Sequence, residues 1–395
     1  MKQTRVPIAN LPLGDASGIA RLMLVFTYCY TLLTTPITLS RFTLDILLCL
    51  LPWTRPTKEW SLNQAARMRV VRLVLLYWSR LRWGDRLSLR PRGERNRFEV
   101  MRPLSANLYK GALSDATIKP ESIGTTWTPA RPPPPALVRP ELTVALHFHG
   151  GGFAIGNGRD EDTGYLAKTL IQHTGCKLVC TPQYRLSSGR NGRFPAPIQD
   201  ALTAYLWLLR EKGIPALQII FSGDSAGGTI ALGLLRYICE HGAELDIPAP
   251  GAVALWSPWV DVSAAIHQDM RQSPNYRTDY LNREFGQWGA VSVTGSGAVE
   301  PSGPYLAPLH HPFEPPAAGM PMFLHGGDRE VLWDDIRLVA QRYRDIGWKV
   351  HLDVSRHCPH DILLLGSRIG FEREAEEAAK EARKFFLAMT DMSLR

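Results

Sequence analysis

The sequence predicts an α/β architecture, a mostly parallel sheet covered by helices on both faces and closed by a helical cap. Two observations predict the sheet and a third the cap. Beyond residue 142, short apolar β-rich runs alternate with stretches of helical spacing, and such alternation builds a parallel sheet with helices on each face. The chain has 395 residues, 45% of them apolar and 21% charged, which is ordinary globular usage with enough material for a large core. This composition excludes a disordered, collagen-like or polytopic membrane protein. Residues 262–304 interrupt the alternation with a long irregular stretch, and length of that kind inside a compact domain reads as a lid.

Taken from the start, residues 22–40 form an uncharged run of 19 between Arg21 and Arg41. If helical it is about 28 Å long, close to a bilayer core. Five threonines and Pro36 dilute it, and a second apolar run, 46–53, follows Asp45. Two readings stand side by side for residues 20–53: a membrane anchor or interfacial helical hairpin, and a buried cap helix. No small-x-small cleavage site follows the run, so a signal peptide is not expected.

Residues 62–82 carry Ala66, Val70, Leu73, Val74, Tyr77 and Leu81 at helical spacing with arginines between them, the pattern of an amphipathic helix. Residues 67–102 hold eleven arginines against Asp85, Glu94 and Glu99, which accounts for the whole net charge of +8. That patch is either a solvated face or a surface turned to anionic lipid; no nucleic-acid-binding motif accompanies it. Residues 83–116 read as a connector. Strands are expected at 123–128 and 142–148, separated by Pro132, Pro133, Pro134 and Pro135, which cannot continue a ladder. Further strands are expected at 177–181, 217–222, 251–256, 322–325 and 349–354. Helices are expected near 163–174, 197–212, 226–240 and 334–346 and after 362. The division that follows is a hydrophobic, Arg-rich helical region over 1–115 and a catalytic domain over 116–395 containing the insertion at about 262–304.

Six cysteines, with no metal-ligand spacing among them and no Asn-x-Ser/Thr sequon, imply neither a disulfide framework nor a metal site and point to an intracellular, reducing compartment.

The chemistry concentrates in three loops. Gly223-Asp224-Ser225-Ala226-Gly227-Gly228 follows an apolar strand and opens a helix, the setting of a nucleophilic serine on a strained strand-to-helix turn. Asp224 is expected to brace that turn. Another strand ends in His149-Gly150-Gly151-Gly152, where glycines let backbone N–H groups turn into a cavity; Gly151, Gly152 and Ala226 are the expected oxyanion donors. A hydroxyl nucleophile needs a base, and the base an orienting acid, at the ends of late strands in the chain order Ser, acid, His. Asp328 follows the strand at 322–325 and His360 follows the strand at 349–354, so these are the expected partners. His357 is the alternative base in the same loop, and His351 lies within the strand as a structural residue.

These motifs resemble the hormone-sensitive-lipase family of α/β-hydrolases, which includes microbial carboxylesterases and fungal hydrolases. The resemblance rests on His149 to Gly152, Tyr184-Arg185-Leu186, Phe194-Pro195-Ala196, Gly223 to Gly228, Ser257-Pro258-Trp259, Gly326 to Asp335 and Pro359-His360-Asp361, and it spans about 115–390. It implies an α/β-hydrolase fold, a triad of Ser225, Asp328 and His360, the oxyanion hole above, no cofactor, and hydrolysis of a small or medium hydrophobic ester. Acyl transfer, lactone opening or another pathway-specific reaction on the same triad, and a non-catalytic small-molecule receptor, are the alternatives. The sequence departs from the family at 187–193, where a short Ala-Pro-Glu-like turn is usual, and in its longer, more hydrophobic N-terminal 110 residues.

Overall fold

A computed structural model describes residues 18–393 except Ala318. The chain opens with α1 (Gly18–Leu48), which runs through Pro36 as one helix rather than a hairpin. Next comes α2 (Leu62–Leu81), started by a capping box in which Ser61 and Gln64 satisfy each other's backbone N–H groups. Strands β1 (Phe98–Met101), β2 (Ile123–Thr128) and β3 (Val144–Phe148) follow, then α3 (Asp160–Thr174), β4 (Leu178–Gln183), α4 (Ala196–Arg210), β5 (Ile219–Asp224), α5 (Ala226–Leu245) and β6 (Ala252–Trp256). The insertion holds α6 (Ala264–His267) and α7 (Arg283–Val293); β7 (Pro321–Gly327), α8 (Trp333–Asp345), β8 (Lys349–Ser355), α9 (Ile362–Ile369) and α10 (Glu372–Ser393) complete the chain.

The eight strands form one sheet in the order β1-β2-β4-β3-β5-β6-β7-β8. Only β2 runs against its neighbours; every pair from β4 to β8 is parallel. The central strands are apolar on both sides, with β3, β4 and β6 buried throughout, because helices cover both faces. One larger core lies on the side of α4, α5 and α8 and a second under α3 and α10. Parallel pairing brings the C-terminal ends of β3, β5, β6, β7 and β8 to one edge of the sheet, where ligands meet open α/β sheets.

Two elements differ from expectation. Strand β1 lies inside the expected connector, and α7 lies inside the stretch read as irregular. Among the described residues no helix is long and apolar enough to cross a membrane.

Candidate active site

Strand β5 ends at Asp224, and Ser225 takes φ 49° and ψ −118° before α5 begins. That left-handed backbone costs energy for a side-chain-bearing residue and is held by its surroundings: the Ser225 N–H donates to Trp256 O at 2.9 Å, and Ser225 O accepts from Trp259 N at 2.8 Å. The turn tolerates only glycine at Gly227, because a Cβ there would lie 1.8 Å from Phe148 O. The result lifts Ser225 Oγ above the sheet edge at the N-terminus of α5.

His360 stands in the loop between β8 and α9. Its Nε2 accepts the Ser225 hydroxyl at 2.9 Å, and its Nδ1–H donates to Glu330 Oε2 at 2.6 Å. All three side chains are buried, Glu330 fully and Ser225 to within 8%. The acid facing the imidazole is therefore Glu330, and the expectation for Asp328 is corrected. Asp328 Oδ1 accepts the backbone N–H of His357 at 2.6 Å, and Arg329 Nε lies 3.6 Å from the same atom. The reason is the turn after β7. Glu330 N–H donates to Gly327 O at 3.2 Å, while Glu330 Oε1 accepts Gly327 N–H at 2.7 Å, so the chain curls back and aims the residue at 330 inward. Asp328, on the outside of that curl, braces the neighbouring loop instead.

His357, the alternative base, sits on that outer side too. It has φ 60°, its carbonyl accepts from Trp60 Nε1 at 2.6 Å, and its ring lies 3.9 Å from Glu59. His351 stacks between Phe323 and Phe385 on β8, as a structural residue would.

Glu330 is held on both oxygens. Besides Gly327, Oε1 accepts Ser257 Oγ–H at 3.0 Å, and Ser257 Oγ in turn accepts Asp361 N–H at 3.0 Å. Burial raises the Glu330 pKa, and the hydrogen bond from His360 works against that rise. Burial alone would lower the His360 pKa; the hydrogen bond and charge of Glu330 outweigh it, with Asp279 and Asp361 adding, and raise it to about 9.

A second buried network supports the oxyanion loop. Asp224 accepts Gly150 N–H at 2.8 Å on Oδ2 and His147 Nε2–H at 2.8 Å on Oδ1. Asp224 thus braces the glycine loop from the end of β5. Burial, and then the charge of Asp224, push the Asp361 carboxyl far above its usual range. His149 does not face the nucleophile: its ring stacks on Tyr184 at 4.3 Å and its Nδ1–H donates to Gly150 O at 2.7 Å. Gly151 has φ 102°, where a Cβ would strike Ile155 O at 2.2 Å, so glycine is needed to turn the loop. Among the described residues the N–H groups of Gly151, Gly152 and Ala226 have no protein acceptor.

Helix α7 packs against this edge. A Cβ on Gly289 of α7 would lie 2.4 Å from Gly152 O, and a Cβ on Gly152 would meet the Phe285 ring at 3.2 Å. The segment before α7 straps the acid turn: Asn275 Nδ2 donates to Asp328 O (3.1 Å) and Glu330 O (2.9 Å), and Asp279 Oδ2 accepts Val331 N–H at 2.7 Å. Arg72 of α2 holds the strap through the carbonyls of Tyr276, Asp279 and Leu281 at 2.7–2.9 Å. Sequence reasoning gave no role to Glu330, Ser257, Asp279 or Arg72. Glu330 and Ser257 lay inside motifs it had singled out, Glu330 as the second acid in the turn after β7. Among the described residues no His, Cys, Asp and Glu cluster suits a metal ion.

A family profile described as "alpha/beta hydrolase fold" matches residues 145–364. An acetyl-hydrolase of Streptomyces hygroscopicus is 28% identical over 51% of this chain and 62% of its own length. An ethyl acetate hydrolase of Pseudomonas putida is 28% identical over 62% of this chain and 73% of its own. The solved structure of an esterase from the bacterial hormone-sensitive lipase family superposes with a TM-score of 0.55 at 23% identity, over 87% of this chain and 97% of that one. With the serine turn, the glycine loop and the profile in agreement, the chain belongs to the α/β-hydrolase fold family.

Proposed function

We propose that the protein hydrolyses a carboxylic ester with a short acyl group through an acyl-enzyme on Ser225. The observation that carries this reading is His360 bridging Ser225 and Glu330 in a buried, hydrogen-bonded line. Ser225 Oγ attacks the ester carbonyl while its proton passes to His360 Nε2, and Glu330 stabilises the imidazolium through Nδ1. The carbonyl oxygen, now anionic, takes hydrogen bonds from the N–H groups of Gly151, Gly152 and Ala226, aided by the dipole of α5. The tetrahedral adduct collapses, and His360 returns the proton to the departing alkoxide. Water then adds to the acyl-enzyme by the same sequence, releasing the acid and restoring Ser225 Oγ–H.

The short acyl group is supported by the close seating of Phe285 against Gly152 and by the names of the two relatives, an acetyl-hydrolase and an ethyl acetate hydrolase. The test is hydrolysis of p-nitrophenyl esters of graded acyl length. Acetate or butyrate should be turned over fastest, and Ser225→Ala and His360→Ala should each lose at least about 10⁴-fold in kcat. Full activity in Ser225→Ala would overturn the reading.

A further inference from the structure

Helix α1 has its polarity reversed. A helix on a globular protein turns its apolar stripe to the core and its polar side to water. Here threonines line the protein side. Thr31 is buried, Thr35 Oγ1 accepts from Tyr77 Oη of α2 at 3.1 Å, and Arg80 of α2 reaches Thr34. The outer side carries Phe26, Leu32, Leu33, Ile37, Leu44 and Leu47, with Leu32 72% and Leu33 78% exposed. Of the 25 large hydrophobic side chains exposed among the described residues, fourteen fall between 25 and 53, so the patch is a local feature and not general surface scatter.

The backbone is fitted to an apolar neighbour as well. The hydroxyls of Thr31, Thr34, Thr35, Thr38 and Thr43 each donate to the carbonyl four residues earlier, which leaves them needing no water. Exposed Tyr28, Tyr30 and Trp53 add rings with a polar edge, the side chains that settle at the level of lipid headgroups. The charge beside the patch selects the occupant. Residues 41–70 are net basic, with Arg41, Arg55, Lys58, Arg67 and Arg69 against Asp45 and Glu59; Arg55, Arg67 and Arg69 reach backbone carbonyls of the chain, while Arg41 on α1 and Lys58 just after it stand exposed. A surface with negative headgroups would be attracted.

We propose that α1 lies in the interface of a lipid bilayer carrying anionic headgroups, with its leucine side inserted and its threonine side on α2. This surface is separate from the catalytic reading. Residues after α1 tie it to the rest of the site: Trp60 Nε1 donates to His357 O, three residues from His360, and Gln64 Nε2 donates to Gly370 O at 2.8 Å.

The test is sedimentation of the full chain with phosphatidylcholine vesicles, with and without a quarter phosphatidylglycerol. The full chain should pellet with the anionic vesicles and be released by high salt. Leu32→Glu combined with Leu33→Glu should reduce the bound fraction roughly tenfold or more. The same variant should turn over soluble p-nitrophenyl acetate at the wild-type rate, since neither residue touches the core; this control separates lost docking from lost folding or catalysis. A full chain that stays in the supernatant with both vesicle types would overturn the proposal, as would a dimer that the double variant converts to monomer.

Discussion

The catalytic edge and helix α1 solve the problem of polar groups in opposite ways. At the catalytic edge, carboxylates and imidazoles are buried and matched by named partners: Glu330 by His360, Ser257 and Gly327, and Asp224 by His147 and Gly150. On α1 the polar side chains satisfy their own helix or α2, and the large apolar ones face outward. The comparison teaches that burial by itself does not mark function. A buried charge with a complete set of partners shows only that the fold supports it, as for the Arg185–Asp200 pair, and its place beside Ser225 is what makes Glu330 a candidate.

The sharpest way to break the comparison is at the acid. Glu330→Gln should lower kcat roughly 10³- to 10⁴-fold in steady-state ester hydrolysis, by removing the charge that stabilises the imidazolium. Asp328→Asn should stay within about threefold of wild type, because its carboxylate serves the His357 N–H and Arg329 and not the imidazole of His360. Equal losses in the two variants would refute the assignment of Glu330. Next in size, Gly227→Ala should destabilise the fold by about 3 kcal/mol or more in urea unfolding, since the added methyl group would overlap Phe148 O.

The pH profile sharpens the same point. The raised His360 pKa means that the neutral base is lost as pH falls through about 9, so kcat/KM should decline on an acid limb above the ordinary imidazole range. Removing the Glu330 charge lowers that pKa, and residual activity in Glu330→Gln should show its limb at lower pH by about one unit or more. The smallest effect belongs to α1. Leu44→Ala, on the exposed side, should change the unfolding free energy by no more than about 0.5 kcal/mol.

Much of this was legible in the chain. The alternation after residue 142 became β3 to β8 with their helices, and Ser225 and His360 meet where the order of loops put them. What escaped was decided by three-dimensional closure. Asp328 and Glu330 share one tight turn, and only the Gly327–Glu330 hydrogen bonds select the inward residue. Strand β1 is four residues long within an arginine-rich stretch, so neither length nor composition announced it. Helix α7 contains Gly286 and Gly289, poor helix formers; close seating of Gly289 on the Gly152 carbonyl requires one of them. The two readings for residues 20–53 split on a detail no periodicity reveals, namely which side of α1 meets α2.

The strap held by Arg72 also bears on how the molecule is assembled. Arg72 meets residues more than 200 positions away, and Trp60 meets His357 almost 300 positions away. Contacts of such sequence separation close late, after the more local β-α-β units have formed. The acid turn is thus held by residues drawn from distant parts of the chain, and in mild denaturant those long-range clamps should release before the central strands. Ester turnover should then fall at a lower denaturant concentration than far-UV circular dichroism, which reports the helices and the sheet together.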